Sequence, residues 1–139
     1  MILVIRISGQ VNVPDEIKEA LNRINIERKY SATLLHPTRE NLKLLTKIRN
    51  YVAYGDIDTS TLKELIKKRT QPLAKNKKIN PEEIISQLDK KSFKSIGLKP
   101  FFRLHPPRKG IESKKHFGIG KGVLGDNKEK INDLVRRML

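Results

Sequence analysis

The stretch of sequence that decides the fold is ILVIRI, residues 2–7, in which Arg6 is the single residue that is not apolar. Apolar residues at both odd and even positions of a short run predict a β-strand that is buried on both faces. Such a strand lies in the interior of its sheet. Ser8-Gly9 follows at once and predicts the turn that ends the strand. We therefore expect the core of the protein to be built around residues 2–7.

Helices and strands alternate after this first strand. Apolar residues spaced at i, i+3, i+4 and i+7 predict an amphipathic helix that begins at Pro14. The next predicted elements are a strand at 31–35, a helix lined by Leu42, Leu45 and Ile48, a strand at 51–54, and a helix from 59–61 onward with Thr61 and Glu64 at capping-box spacing. This order predicts a small α/β or α+β sandwich in which two helices pack on one face of a three-stranded sheet and leave the other face partly open.

The later part of the chain is less regular. Its predicted elements are a basic connector at 71–78, a short helix from Pro81, a short strand at 101–104, a glycine-rich stretch at 108–125, and a final helix from Asp126 or Asn127. We expect three parts: an α/β core at 1–70, a connector with a short helix at 71–98, and a basic RNA-binding extension at 99–139 whose C-terminal helix packs on the core.

The charge of the chain is large and uneven. Thirty Lys and Arg residues stand against fifteen Asp and Glu residues, a net charge of +15 over 139 residues. Residues 90–121 hold ten basic side chains and one acidic one, Glu112. Because charges of one sign repel each other at this density, we expect an external anion to neutralise them. A phosphate polymer does so most effectively, since each ion pair releases condensed counterions. The charge pattern predicts nucleic-acid binding.

Residues 99–121 are the strongest candidate for that contact. They alternate Lys and Arg with Pro, Gly and a few rings, a composition that can follow a folded RNA with cations on phosphates and rings on unpaired bases. A solvated loop is the alternative, but a solvated surface usually mixes charges of both signs. The candidate RNA-binding residues here are Lys99, Arg103, His105, Arg108, Lys109, Lys114, Lys115, His116, Phe117 and Lys121.

One short stretch of this segment matches a nucleotide-binding motif but lacks the surroundings that the motif requires. Residues 120–125, GKGVLG, match the dinucleotide fingerprint G-x-G-x-x-G. That fingerprint requires an apolar strand before it and an acidic residue about twenty positions after it, whereas Lys114-Lys115-His116 precede this one and the chain ends fourteen residues later. We expect a flexible glycine loop that contacts RNA or leads into the last helix.

The sequence contains no catalytic or metal-binding constellation. The three histidines, His36, His105 and His116, are far apart, and there is no cysteine. The carboxylate pairs stand at predicted helix starts or in a turn. No apolar run is long enough to span a membrane. We therefore expect no enzymatic activity, no cofactor, no small-molecule substrate and no membrane partner.

Two sets of residues resemble a known family. Residues 20–33 (ALNRINIERKYSAT), followed by Leu44-Leu45, Ile48 and Tyr51-Val52, resemble the signature of the large-subunit ribosomal protein family numbered thirty. Residues 102–110 (FRLHPPRKG) and 131–138 (INDLVRRM) resemble the longer archaeal form, which is related to the eukaryotic large-subunit protein numbered seven.

This resemblance implies both a fold and a role. The implied fold is a β-α-β-α-β core with a three-stranded, mainly antiparallel sheet in the order 3-1-2. The implied role is that of a structural constituent of the large ribosomal subunit in the cytoplasm, which binds rRNA near the 5S docking region, stabilises its folded arrangement and lies beside other ribosomal proteins. The resemblance adds five candidate RNA contacts: Arg28, Lys29, Arg39, Lys47 and Arg49.

Two other functions are compatible with a basic RNA-binding chain. A free-standing RNA-binding or RNA-chaperone regulator would bind many single-stranded RNAs with similar affinity. An RNA-processing enzyme would need a general base or a metal site. Asp56 and Asp58 are the one conceivable metal-binding pair, but we expect them to act as turn and cap residues.

Overall fold

β1 (Ile2–Arg6) lies inside the sheet, and all five of its residues are buried. The computed structural model describes residues 2–9, 13–69, 81–88, 101–108, 110–118, 120 and 122–139. The elements after β1 are α1 (Asp15–Arg23), β2 (Ser31–Leu35), α2 (Arg39–Ile48), β3 (Val52–Asp56), α3 (Thr59–Arg69), α4 (Pro81–Leu88), β4 (Phe102–Arg103), β5 (Glu112–His116), β6 (Gly122–Asp126), a 3₁₀ turn (Lys128–Lys130) and α5 (Ile131–Met138).

The strands form one six-stranded sheet in the order β4-β2-β1-β3-β6-β5. β1 pairs antiparallel with both β2 and β3, so that Leu3 lies between Leu34 and Gly55. β4 extends one edge antiparallel to β2, and β6 extends the other edge parallel to β3. The α+β class is confirmed, but the prediction of a three-stranded sheet is wrong. Short segments of the predicted extension supply the three additional strands.

Two apolar cores lie on opposite faces of this sheet, because alternate residues of a strand point to opposite sides. Ile2 and Val4 belong to the core that includes the buried residues of α1 and α2. Leu3 and Ile5 belong to the core that includes α3, α5 and Ile84 of α4. Two helices, α1 and α2, do share one face, but the prediction that helices lie on one face only and leave the other partly open is wrong. A strand buried at every position needs a cover on each side, and α5 from the end of the chain completes the second one.

The predicted glycine loop is part of the sheet. Gly122–Asp126 form β6, in which Val123 and Leu124 are buried. The buried Asn127 side chain follows the strand and donates hydrogen bonds to the carbonyl oxygens of Val123, at 2.7 Å, and Gly125, at 3.1 Å. The last helix consequently begins at Ile131, after the 3₁₀ turn, and not at Asp126 or Asn127 as predicted.

A hydrogen-bonded corner attaches α5 to the core. The backbone N–H of Asp58 donates to Asn132 Oδ1 at 2.9 Å, and Asn132 Nδ2 donates to the carbonyl oxygen of Asp56 at 3.3 Å. At the same corner the carboxylate of Asp58 accepts the backbone N–H of Thr61 at 2.8 Å. Asp58 therefore caps α3, which corrects the predicted capping box of Thr61 and Glu64.

The division into three parts stays a prediction. Helix α4 forms within the predicted connector, but residues 70–80 and 89–100 lie outside the described residues.

Replacing Gly55 with alanine should weaken the attachment of α5. A Cβ atom there would overlap the carbonyl oxygen of Lys128 and lie 3.0 Å from Ile131 Cβ. We expect Gly55→Ala to lower the free energy of unfolding by about 1–3 kcal/mol, measured by urea denaturation. Gly9→Ala is the matched control, because a Cβ atom added at Gly9 would have no neighbour within 4 Å, and it should change stability by less than about 0.5 kcal/mol. Equal effects of the two variants would contradict this packing.

Removing the Asp58 cap should destabilise the protein in a pH-dependent way. Contact with the Thr61 side chain and then with its backbone N–H lowers the pKa of the Asp58 carboxyl. Its stabilising effect is therefore complete above the unfolded-state pKa of about 3.9 and is lost as the pH falls through the lower folded-state pKa. We expect Asp58→Ala to cost about 1 kcal/mol at pH 7 and progressively less below about pH 4, by thermal unfolding across pH. Glu19→Ala, at an exposed position of α1, is the control and should change stability at pH 7 by less than about 0.5 kcal/mol.

Candidate nucleic-acid interface

Residues 101–108 form an extended ribbon along one edge of the sheet and across the end of α5. Leu104 N–H donates to the carbonyl oxygen of Tyr30 at 3.0 Å. The N–H groups of His105 and Arg108 then donate to the carbonyl oxygens of Met138, at 2.9 Å, and Arg137, at 3.0 Å. The last carbonyl groups of a helix have no hydrogen-bond donor within the helix. The ribbon supplies donors for two of these groups at the end of α5. We call residues 101–108 the ribbon.

Buried apolar residues and exposed cationic residues interleave along the ribbon. Phe102, Leu104 and Pro107 are buried, whereas Arg103, His105 and Arg108 are exposed. The apolar side chains thus attach the ribbon to the core while three predicted RNA contacts face solvent. The alternation is visible in the sequence over 102–105, but it is too short to predict how far the ordered segment extends.

Two more predicted contacts lie beside the ribbon. Arg28 and Lys29 are exposed on the connection between α1 and β2. Ser31, the first residue of β2, pairs with Arg103 of β4. A pocket of about 130 Å³ lies between the two segments and is lined by Asn25, Glu27, Arg28, Ser31, Phe101 and Arg103. The structure therefore brings Arg28, Lys29 and Arg103 together at the β4 edge.

Aromatic rings accompany these cations. The guanidinium carbon of Arg103 lies 5.6 Å from the centre of the Phe101 ring, and Lys29 Nζ lies 5.0 Å from the centre of the Tyr30 ring. Both distances are within the range of a cation–π interaction. We call Arg28, Lys29, Tyr30, Phe101 and Arg103 the β4-edge cluster.

Arg6 holds the loop that carries Arg28 and Lys29. Its guanidinium is buried and donates to the carbonyl oxygens of Ile26 (3.1 Å), Ser8 (3.0 Å), Gly9 (3.4 Å) and Glu27. Desolvation by burial lowers the pKa of Arg6, and the negative charge of Glu27 opposes that shift. The sequence singled out Arg6 as an interruption of a strand, but nothing in it revealed that the side chain turns back to bind a distant loop.

Tyr30 is the strained residue of the same loop. Its φ angle of 63° lies in the left-handed region, which bulky residues rarely adopt. Its N–H donates to the Arg6 carbonyl oxygen at 2.7 Å, and its own carbonyl oxygen accepts from Leu104. Strain of this kind persists only where the surroundings enforce it, and here β1 and the ribbon do so.

The basic residues predicted on and after α2 lie on another surface. Arg39 is the first residue of α2 and Arg49 follows its end. Lys47 pairs with Glu16 of α1 at 2.8 Å, and this hydrogen-bonded ion pair lowers the pKa of Glu16. Lys43, which was not among the predicted contacts, lies between Arg39 and Lys47 at four-residue spacing, so the three project from one exposed face of the helix.

The remaining described candidates lie at the opposite edge of the sheet. Lys115 and Phe117 are exposed and His116 is half-buried, at the end of β5 and just after it. β4 and β5 are the two edge strands, five strand spacings or about 24 Å apart. The described residues of the predicted segment 99–121 are therefore divided between two edges. Lys99, Lys109, Lys121 and the side chain of Lys114 lie outside what the structure describes.

The described ranges contain no group of three or more His, Asp or Glu residues that could hold a metal ion. Within the same ranges, no helix has both the length and the apolar character needed to cross a membrane. The two edges of the sheet instead present positively charged side chains with aromatic rings beside them.

Comparison with known proteins identifies the class of protein to which this chain belongs. No family model matches the chain. Relatives named Large ribosomal subunit protein uL30 are similar over nearly their whole length: 37% identity in Nanoarchaeum equitans, covering 98% of this chain and 97% of the relative, 35% in Methanococcus maripaludis (98% and 97%), and 32% in Korarchaeum cryptofilum (100% and 95%).

These relatives are ribosomal proteins, a class of structural proteins and not of enzymes. The chain belongs to the uL30 family of the large ribosomal subunit. The family resemblance, the prediction that the chain is not an enzyme and the predicted ribosome-bound, cytoplasmic location are thereby confirmed.

Replacing Arg6 should loosen the loop that carries Arg28 and Lys29. Arg6→Met leaves buried carbonyl oxygens, including that of Ile26, without a donor, so we expect a loss of about 2–3 kcal/mol in the free energy of unfolding. Hydrogen exchange of the Tyr30 amide should accelerate in the variant. Lys63→Met, at an exposed position of α3, is the control and should leave both measurements nearly unchanged. Unchanged exchange at Tyr30 in Arg6→Met would contradict the positioning role.

Proposed function

We propose that the protein is a structural constituent of the large ribosomal subunit that binds rRNA through cations on an ordered frame and so stabilises the folded arrangement of the RNA. The single observation that carries the proposal is the ribbon, in which Phe102, Leu104 and Pro107 are buried while Arg103, His105 and Arg108 are exposed. The relatives named for the large ribosomal subunit support it.

The ribbon is suited to a large polyanion because the fold itself holds its cations in place. Its backbone is bound to β2 through Tyr30 and to α5 through Met138 and Arg137. Cations held in place lose less conformational entropy when they meet phosphates than cations on a free loop would lose. The charge of +15 supplies the long-range attraction and the release of counterions.

Two separated edges allow one small protein to contact two segments of RNA. The β4-edge cluster and the residues around Lys115 and Phe117 face outward at opposite ends of the sheet. A rigid sheet between two phosphate-binding surfaces fixes the distance between the RNA segments that they bind. The basic face of α2, with Arg39, Lys47 and Arg49, is a third candidate contact.

The finer parts of the proposal follow from the family resemblance. We place the protein near the 5S rRNA docking region, with neighbouring ribosomal proteins as further partners. Residues 1–70 act as the scaffold, 71–98 connect, and 99–139 carry most of the RNA contacts. Reconstitution of large subunits with and without 5S rRNA, followed by cross-linking of the bound protein, tests this location.

Neutralising two ribbon cations should weaken rRNA binding and make it less dependent on salt. If Arg103 and Arg108 each contact a phosphate, Arg103→Gln/Arg108→Gln should reduce the slope of log K against log salt concentration by about 1.4–1.8. The measurement is a salt titration of binding to large-subunit rRNA, with co-sedimentation on large subunits as the second readout.

Lys63→Gln/Lys67→Gln provides the matched control, because these two cations are exposed on α3 and are not part of the ribbon. It should retain nearly the wild-type slope. Equal slopes for the two double variants would contradict an interface at the ribbon. Equal affinity of the wild-type protein for rRNA and for unrelated single strands, together with a pool of protein off the ribosome, would contradict the ribosomal role.

A further inference from the structure

We infer that the pocket at the β4 edge receives one unpaired nucleobase of the bound RNA. The inference rests on the proposed function and specifies which part of the RNA this site takes. The pocket lies between the α1–β2 connection and the start of the ribbon, and its lining combines a ring, guanidinium groups and polar side chains.

The size of the pocket suits a single planar ring system. Its volume of about 130 Å³ is well below the roughly 300 Å³ at which pockets for drug-sized ligands begin. A complete free nucleotide with its sugar and phosphates therefore exceeds it, whereas one base can enter from outside while its sugar and phosphates stay at the surface.

The ring and the guanidinium provide a stacking surface. Phe101 is half-buried and lies beside the guanidinium of Arg103, 5.6 Å from ring centre to Cζ. Unpaired RNA bases stack on aromatic rings and on arginine planes, whereas the bases of a continuous duplex are stacked on each other and inaccessible. This pair therefore favours a base that has left its helix, in a loop or a bulge.

The polar wall favours a base over a phosphate inside the pocket. Glu27 also lines the pocket, and the negative charge of its side chain favours the N–H groups on a base edge over a phosphate. Asn25, which offers both a donor and an acceptor, lies on the same wall. Arg28, also on the lining, is exposed and is placed to meet the phosphate beside the inserted base.

Hydrogen bonds within the fold hold both walls of the pocket in place. Arg6 holds the loop through the carbonyl oxygens of Ile26 and Glu27, and the Tyr30 carbonyl oxygen ties the loop to Leu104 of the ribbon. A pocket between two fixed walls needs little rearrangement to accept a base. The entropy cost of ordering the site therefore offsets little of the free energy of stacking.

Substitution of Phe101 tests the inference by separating stacking from charge. Phe101→Leu should reduce affinity for large-subunit rRNA by roughly 5- to 150-fold, the range found when one base loses its aromatic partner. It should do so without changing the salt slope, whereas Arg28→Gln should reduce the slope by about 0.7–0.9. Phe101→Tyr, which keeps the ring, should retain wild-type affinity.

Chemical probing of the rRNA provides the second readout. The wild-type protein should protect one unpaired base, and this protection should disappear with Phe101→Leu but persist with Phe117→Leu, whose exposed ring lies at the other edge. Arg103→Lys, a change on the exposed side of the ribbon, keeps the charge and removes the planar surface. This variant should lose the same protection while it retains the salt slope. It therefore tests the base pocket even if Phe101→Leu does not fold.

The outcomes separate the two claims. If the wild-type protein does not bind large-subunit rRNA, the proposed function fails. If it binds, and both Phe101→Leu and Arg103→Lys retain affinity and the full pattern of base protection, rRNA binding stands and the base pocket is wrong.

Discussion

The burial of β1 on both faces and both edges is the constraint on which the rest of the structure depends. Its backbone pairs with β2 and β3, and its side chains alternate between two apolar cores. α1 and α2 cover one face, but the other face needs α3 and, from far along the chain, α5. Because α5 packs there, its last carbonyl groups, which have no partner within the helix, can accept hydrogen bonds from the ribbon. The positions of the cations at the β4 edge follow from that packing.

The sequence predicted the first half of the fold well because its signals are long and regular. Each helix and strand expected within residues 2–70 forms, with ends shifted by one or two residues. β4 has only two residues, and β6 contains two glycines, so neither has a periodic pattern long enough to identify. We did not predict the second helical layer from the sequence. The apolar residues on both faces of β1 place that strand inside the sheet, but we did not conclude from them that helices must cover both faces.

The candidate site was predictable as a set of residues and not as an arrangement. Arg28 and Arg103 are 75 positions apart and share a pocket because Ser31 pairs with Arg103, a register that no local pattern encodes. The fold also reduces the repulsion that the charge pattern implied. The described cations of the basic segment are divided between edges about 24 Å apart, well beyond the roughly 8 Å over which salt screens charges at physiological strength. Repulsion between the described cations of the two edges is therefore weak.

The capping of α5 by the ribbon has a consequence for the order in which the molecule matures. Arg103 and Arg108 emerge from the translating ribosome before the helix whose terminal carbonyl groups hold their backbone in place. A nascent chain that stops short of residue 137 has the cations but not the anchor for them. Synthesis of α5 is therefore what holds the cations of the ribbon in their positions along the sheet edge.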